Sequence, residues 1–345
     1  MQQMNRSYLA HIVADSANGP RGDAVESPLL KADISNLMLL CGDHHRLIDG
    51  PRHAEYPVDW LREQKREHEE RIERQTGMQP AKRTHIVLIG TRIGTRRGDV
   101  TVNEDEARAA VLPARYPATD HAIRVDLSEL DLTEQDPTFW QVAQLHAQRR
   151  LAAVVASTDA TGRPINHLSI FGFASIPVLI YCGSLIRDLI TADVFQRHRS
   201  PASWEWAAFD NDGFNYTTTY PEAAVPKGPV AINISLSGHI HQHEIDRALA
   251  EPLPTYGITI ATPSLTFLRA KEQLELFTLA WRNLLSRVRQ EHGDCCEIHL
   301  FAAVPVSVAI EIGRPLLPKV DPVLHVYNLD KETKTFKLAL SIHQE

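Results

Sequence analysis

Cysteine is scarce in this chain. Four residues in 345, two of them adjacent (Cys295 and Cys296), cannot make a disulfide framework. No apolar run approaches the roughly 18 residues of a membrane span, and the opening MQQMNRSYLAHIV lacks the pattern of a secretory signal. A reducing cytoplasm is therefore the expected compartment, with no membrane partner. An excess of positive charge is also missing. The formal net charge is −7, and the first 80 residues carry ten Lys and Arg against thirteen Asp and Glu. A protein that coats nucleic acid through phosphate contacts needs the opposite balance. A chain of this balance that acts on nucleic acid has to offset its own charge with a metal ion or by assembling several copies.

What is present is ordinary for globular protein: 43% hydrophobic and 23% charged residues. The length suggests two or three units. An apolar run around His11 (Tyr8, Leu9, Ile12, Val13) reads as a strand. Asn36 opens a second apolar run, NLMLLCGDHHRLID, in which His45 falls on a short helix with Ile48 three residues on. Between them, residues 21–37 read as a loop rich in turn residues. There GPRGD places Arg21 either over a phosphate or on a plain surface turn. From Pro57 a charged helix follows, with Glu67–Arg71 and Glu70–Arg74 at i,i+4 spacing and a thin apolar face (Trp60, Leu61, Ile72). Gly77 and Pro80 close it.

The texture changes at residue 84. HIVLIG is a near-continuous apolar strand of the kind buried on both faces of a parallel sheet. Gly90, Gly94 and Gly98 follow it at a spacing that matches neither GxGxxG nor a Walker loop. Helices are expected over 104–111 and 138–151, then a strand over 152–156. An internal repeat organises the rest. HLSIFGFASIPVLIYCGSLI from His167 and EIHLFAAVPVSVAIEIGRPLL from Glu297 align Phe171 with Phe301 and Gly183 with Gly313 without a gap. Each copy is an apolar strand, a break with Pro (Pro177, Pro305) and an apolar helical run. HIVLIGTRIG at 85 and VAINISLSGH at 230 continue the parallel upstream. Two similar α/β halves follow from this, divided in the Pro-rich stretch 221–229.

In such halves, helix N-termini present unpaired backbone N–H groups to phosphates beyond the carboxyl ends of the strands. Pro177 and Pro305 mark two such starts, with Ser175 and Ser307 adjacent. The loops at Thr91 and Arg92 and at Ser237 and His239 face the same cleft, where Arg92 pairs a phosphate and Ser237 donates to one. Trp204 and Trp206 offer stacking surfaces but fit core packing better. His239, His241 and His243 have a spacing that admits a shared cation. Without a carboxylate or cysteine partner, they fit ligand or solvent contact better. Cys182, Cys295 and Cys296 read as structural.

Two resemblances gather these features. AHIVA, GPRGD and LLCGDHHRLID resemble the ββα-metal arrangement of HNH endonucleases. DVFQRHRSPASWEW (193–206), EIHLFAAVPVSVAIEIGR (297–314) and DPVLHVYN resemble the SAVED domain, a fusion of two CARF-like, Rossmann-type halves. Together the chain resembles an HNH–SAVED effector nuclease of bacterial CBASS antiphage signalling. The implied architecture is α/β: a small HNH module with its connector helix over 1–78, then SAVED over 83–345 with lobes near 83–225 and 228–345.

The resemblance implies that a cyclic di- or trinucleotide from a partner synthase binds the sensor and drives homo-oligomer assembly. Double-stranded DNA is then cut. A dinucleotide suits two similar lobes. In the HNH pattern His11 takes a proton from the attacking water, a task suited to imidazole, which titrates near ~6.5. Asn36 orients the His11 region or lends its carbonyl oxygen to the ion, and His45 holds Mg²⁺ or a similar ion. Cys41 and His44 form half of a structural zinc site. The other half in relatives is a C-x-x-C upstream of the first histidine. None precedes Cys41, so either a strand before Met1 is missing or zinc is absent. The residue before the base, a carboxylate or second His in many HNH sites, is Ala10. An alternative reading keeps the sensor and makes the N-terminal module inactive; another makes the chain a hydrolase of the cyclic nucleotide itself.

Overall fold

The computed structural model describes residues 7–76, 80–90, 102–128, 132–159, 162, 164–209, 213–221, 227–293, 297–317 and 320–343. The chain divides into two units, residues 1–80 and 81–345.

In the first unit, β1 (Ser7–His11) pairs antiparallel with β2 (Leu37–Cys41), His11 standing opposite Leu37. Between them lie a short helix, α1 (Glu26–Leu30), and a 3₁₀ turn over Ile34–Asn36, where the sequence suggested only loop. Asp23 explains the helix: its carboxylate accepts from the N–H groups of Val25 and Glu26, capping a turn too short to show an apolar period. Helices α2 (Gly42–Asp49) and α3 (Val58–Thr76) follow. Ala10, Ile12, Ile48 and Leu61 form a small core, while Trp60 and Ile72 stay substantially exposed. Most of α3 therefore faces water, as its charge pattern requires.

The second unit contains two parallel sheets with one strand order. In the first lobe, β3 (Arg83–Gly90) is central. On one edge it pairs with the short β4 (Tyr116–Pro117) and with β5 (Ile123–Asp126), on the other with β6 (His167–Phe173), which pairs with β7 (Thr191–Phe195). In chain order β4 follows the helix α4 (Glu104–Ala110), and α5 (Phe139–Arg150), α6 (Ala152–Val155) and α7 (Ile176–Ile186) complete the lobe. The segment expected as a strand at 152–156 is helical. Val155 and Ala156 donate to the carbonyls of Leu151 and Ala152, and so short an apolar run carries no period to distinguish the two states.

A hairpin of β8 (His198–Arg199) and β9 (Ala202–Ser203) leads on to the second lobe. Its six strands are β10 (Thr217–Thr219), β11 (Val230–Ser235), β12 (Thr255–Thr259), β13 (Glu297–Ala303), β14 (Val323–Asp330) and β15 (Thr335–Ile342). The order is β10-β12-β11-β13-β14-β15. The inner four are mutually parallel and both edges antiparallel. The parallel cores β5-β3-β6-β7 and β12-β11-β13-β14 are therefore the same arrangement, so the internal repeat is a repeat of topology. The second lobe adds α8 (Gln242–Ala248), the long α9 (Lys271–His292) and α10 (Val306–Gly313).

The lobes share one core. Buried side chains run without a break from Val87, Ile170 and Leu179 of the first lobe to Ile234, Trp281, Val308 and Ile310 of the second. The contact between α7 and α10 closes this core. A β-carbon built on Gly183 would overlap the carbonyl oxygen of Ile310, and one built on Gly313 would overlap that of Ile180. Each glycine thus admits the partner's backbone at a closeness that any side chain forbids. Arg314 also crosses between lobes: its buried guanidinium donates to the carbonyls of Arg187 (3.2 Å) and Ile190 (3.1 Å) and to Glu311 (2.9 Å). No helix among the described residues is long and apolar enough to cross a membrane.

Candidate functional site

Two regions collect the chemistry, one in each unit. In the first, Asn36 is buried and wholly occupied with positioning. Its Oδ1 accepts from Val13 N–H (2.8 Å), and its Nδ2 donates to the carbonyls of Val13 (2.9 Å) and Leu30 (3.2 Å). The chain just after His11 is thereby fixed, which suits the orienting role and leaves the Asn36 carbonyl oxygen already engaged. His11 lies half-buried with Nε2 at 3.1 Å from the carbonyl of Lys31. A carbonyl only accepts, so this contact selects the Nε2–H tautomer and leaves the basic lone pair on Nδ1.

His45 stacks on Tyr8 at 5.1 Å and sets Nε2 at 3.4 Å from Asp49 Oδ2. Asp49 was not legible as a site residue; its only signal was the i,i+4 spacing from His45. Its other oxygen meets Arg21 (2.5 Å), and Arg21 also donates to the carbonyls of Ile12 (2.8 Å), Ile48 (2.5 Å) and His11 (3.3 Å). Arg21 is therefore turned inward as a brace between β1 and α2, not held over a phosphate. Cys41 Sγ and His44 Nδ1 meet at 3.2 Å, and the thiol's pKa is lowered by hydrogen bonds from His44. Cys41–His44 and His45–Asp49 are thus two separate pairs rather than one three-donor group.

For an HNH ion, the fit is partial: His45 and Asp49 offer two donors 3.4 Å apart, with solvent access for water or phosphate at the remaining positions.

The second region is where the carboxyl ends of both parallel sheets meet. Ser175 occupies the N-cap position of α7, and Pro177 stands in the first turn. The Ser175 hydroxyl is buried and has no hydrogen-bond partner among the described residues. At the matching end of α10, Pro305 is the N-cap. Ser307 there is fully buried, donating from its hydroxyl (2.8 Å) and its N–H (3.3 Å) to Gln196 Oε1. Gln196 follows β7 of the other lobe, so Ser307 serves as a lobe-to-lobe contact.

The loop after β11 is built by Asn233 and Ser235. Ser235 Oγ donates to Asn233 Oδ1 (2.8 Å) and accepts from Ile240 N–H (3.0 Å), while Asn233 Nδ2 donates to the carbonyl of Ile240 (2.9 Å). Ser237 N–H donates to the carbonyl of Ala303 at 2.7 Å, which puts Ser237 beside the end of β13, half-exposed. His239 is exposed and stacks in a row with His241 and His243 at 6.5 and 5.6 Å. Those three histidines bring no common ligand point together. Thr91 and Arg92, expected on the facing loop, lie outside the described residues, as do Cys295 and Cys296.

Trp204 packs into the core against Phe171 (5.1 Å, edge-on) with Arg197 over its face, as its apolar setting suggested. Cys182 is fully buried, and burial pushes its thiol up to about 12, so it stays protonated and inert. Gln196, Asn233 and Ser235 carried no motif signal; each acts through a partner distant in sequence or across a loop.

Two parallel-sheet lobes of matching strand order, joined across α7 and α10, define a fused-lobe protein of the Rossmann-like α/β class. The chain belongs to the SAVED family: residues 147–342 match the family of the "SMODS-associated and fused to various effectors sensor domain".

Among solved structures it is similar to a SAVED/CARF-domain containing receptor, Cap4 of Acinetobacter baumannii, with the cyclic trinucleotide 2'3'3'-cAAA. The identity is 11% and the TM-score 0.47, over 80% of this chain and 54% of that one. The same receptor with 3'3'3'-cAAA gives 12% and 0.44 over 62% and 45%. Cap4 of Moraxella osloensis gives 13% and 0.44 over 75% and 50%. The chain spans about half the length of these structures. No curated protein matches it.

Proposed function

We propose that the second unit binds a cyclic oligonucleotide where the lobes meet, and that binding licenses metal-dependent cleavage of double-stranded DNA by the first. The observation that carries the sensor reading is the buried hydroxyl of Ser175 at a helix start, without a hydrogen-bond partner among the described residues. A buried hydroxyl without a partner costs about 1–3 kcal/mol, and a phosphate or ribose oxygen would relieve that cost. The Ser237 hydroxyl and the first-turn N–H groups at the start of α7 offer further donors, which suit the anionic backbone of such a ligand. The two Acinetobacter baumannii Cap4 structures described above hold cyclic trinucleotides, so trinucleotides are tested alongside dinucleotides.

For the first unit the support is local. Strand β1, the 3₁₀ turn leading into its antiparallel partner β2, and helix α2 carry His11, Asn36 and His45 in the HNH order. His11 Nδ1 would take the proton of the attacking water, Asn36 holds the backbone that follows His11, and His45 with Asp49 would hold the ion. The ion supplies charge stabilisation to the scissile phosphate when bound. Ligand binding acts by favouring the assembled, cutting-competent state through differential affinity.

A second reading, a sensor with a silent N-terminal module, is favoured by the two-donor limit at His45 and Asp49 and by Ala10 before the base. One experiment separates them: the full chain is incubated with plasmid, Mg²⁺ and a panel of cyclic di- and trinucleotides. Ligand-dependent cutting that His11→Ala abolishes supports the nuclease. Binding without cutting supports the silent module, and ligand converted to linear product supports a hydrolase instead.

A further inference from the structure

At the amino-terminal ends of the second-lobe strands, opposite the strand end that carries Ser237, three metal-ligand side chains share one face. His299 on β13 stands directly opposite His325 on the parallel strand β14. Glu297 precedes His299 by two residues and so projects from the same side of the sheet. The imidazole rings stack with centroids 4.9 Å apart. Glu297 Oε2 lies 3.4 Å from His325 Nε2, and ligand atoms of all three residues fall within 4.8 Å of one another.

Second partners already orient both rings. His299 Nδ1 is 3.0 Å from the Tyr327 hydroxyl, and His325 Nδ1 is 2.8 Å from Ser341 Oγ. With Nδ1–H donating to a hydroxyl, each ring keeps its Nε2 lone pair for coordination, the arrangement found around metal-bound histidines.

The geometry points to a divalent transition-metal site at Glu297, His299 and His325, of the class zinc occupies. The donor set decides the class. Two imidazoles and one carboxylate suit zinc and its neighbours, whereas magnesium and calcium take oxygen ligands. A tetrahedron with Zn–N bonds of ~2.0–2.1 Å has edges of about 3.3 Å. The Glu297–His325 separation already matches that edge, and small rotamer changes bring His299 to it. Glu297 is exposed, so the fourth position opens to solvent. The ion would staple β13 to β14, two inner strands, near their amino-terminal ends. Its ligands, all in the second unit, include none of the donors offered by His45 or Cys41.

The test uses the full chain stripped of metal, titrated with Zn²⁺ by calorimetry and with Co²⁺ by absorption. The expected result, beyond any ion the first unit takes up, is one site whose Co²⁺ visible bands indicate nitrogen and oxygen ligands, without a thiolate charge-transfer band. It persists in a chain carrying Cys41→Ser, His44→Gln and His45→Gln. It disappears with His299→Gln or His325→Gln and weakens with Glu297→Gln, an exposed change that leaves the fold intact. Ser341→Ala lowers affinity on the order of 10–100-fold. No binding at all, or a stoichiometry that Glu297→Gln and both histidine variants leave unchanged, overturns the site.

Discussion

Gly183 in α7 and Gly313 in α10 stand 130 residues apart and do the same thing, each receiving the other helix's backbone carbonyl, of Ile310 and Ile180 respectively. The contact is reciprocal, so the two lobes meet as near-equivalents. Gly183→Ala forces a methyl against main chain that no rotamer can move. Overpacking of this kind costs about 1–3 kcal/mol. The expected outcome is a lowered urea midpoint for the full chain, with Gly313→Ala similar; an unchanged midpoint in both would show that the helices separate freely.

Ser175 offers a test in which stability and binding part company. Its hydroxyl makes no hydrogen bond among the described residues, so Ser175→Ala should leave the melting temperature unchanged or slightly raised. The same change removes a donor to the ligand and should weaken cyclic-oligonucleotide binding by roughly tenfold, the size of one hydrogen bond to a charged group. Isothermal titration against the panel reads the second effect and differential scanning fluorimetry the first. Loss of both together would make Ser175 merely structural.

In the first unit, His11 and Asn36 should fail differently. His11→Ala leaves a half-exposed position and should lower cutting by about 10²–10⁴-fold, the worth of a general base, with little change in stability. Asn36→Ala strands the buried N–H of Val13 and should destabilise by about 1–3 kcal/mol as well as reduce cutting. Plasmid nicking at matched folded fractions separates the roles.

Acid should loosen the first lobe through His167. Burial, then the nearby positive Arg115, depress its pKa from 6.5 to about 4, against the pull of Asp193. Its Nδ1 is 2.9 Å from Thr84 Oγ1, which in turn meets Ser169. Between about pH 4 and 6.5 the unfolded chain binds a proton that the folded chain refuses. Stability is therefore full above 6.5 and declines as pH falls toward 4. His198 and His299 are shifted downward too, both chiefly by burial, so the comparison must isolate His167. His167→Gln should flatten the loss between pH 7 and pH 5 in urea unfolding. Parallel slopes for variant and parent would remove His167 from the account.

The division between what was readable and what was not follows interaction range. Strand β3 announced itself through six consecutive buried residues, Thr84 to Ile89, because a parallel strand covered on both faces needs no alternation. The repeat was readable because Phe171 and Phe301, and Gly183 and Gly313, occupy equal positions in their elements. The segment 152–156 was misread because five apolar residues fit a turn of helix as well as a strand.

The sequence by itself determined the order of elements, the twofold repetition and which residue types could do chemistry, since these depend on near neighbours and periodicity. Tertiary structure alone decided which of those residues are spent on holding the fold. Arg21, apparently free, is consumed by Asp49 and three carbonyls; Ser307 is consumed by Gln196; Glu297, His299 and His325, unremarkable in the chain, become one group. Hydrogen bonds and coordination act over about 3 Å, and only strand pairing and helix docking bring residues distant in sequence that close.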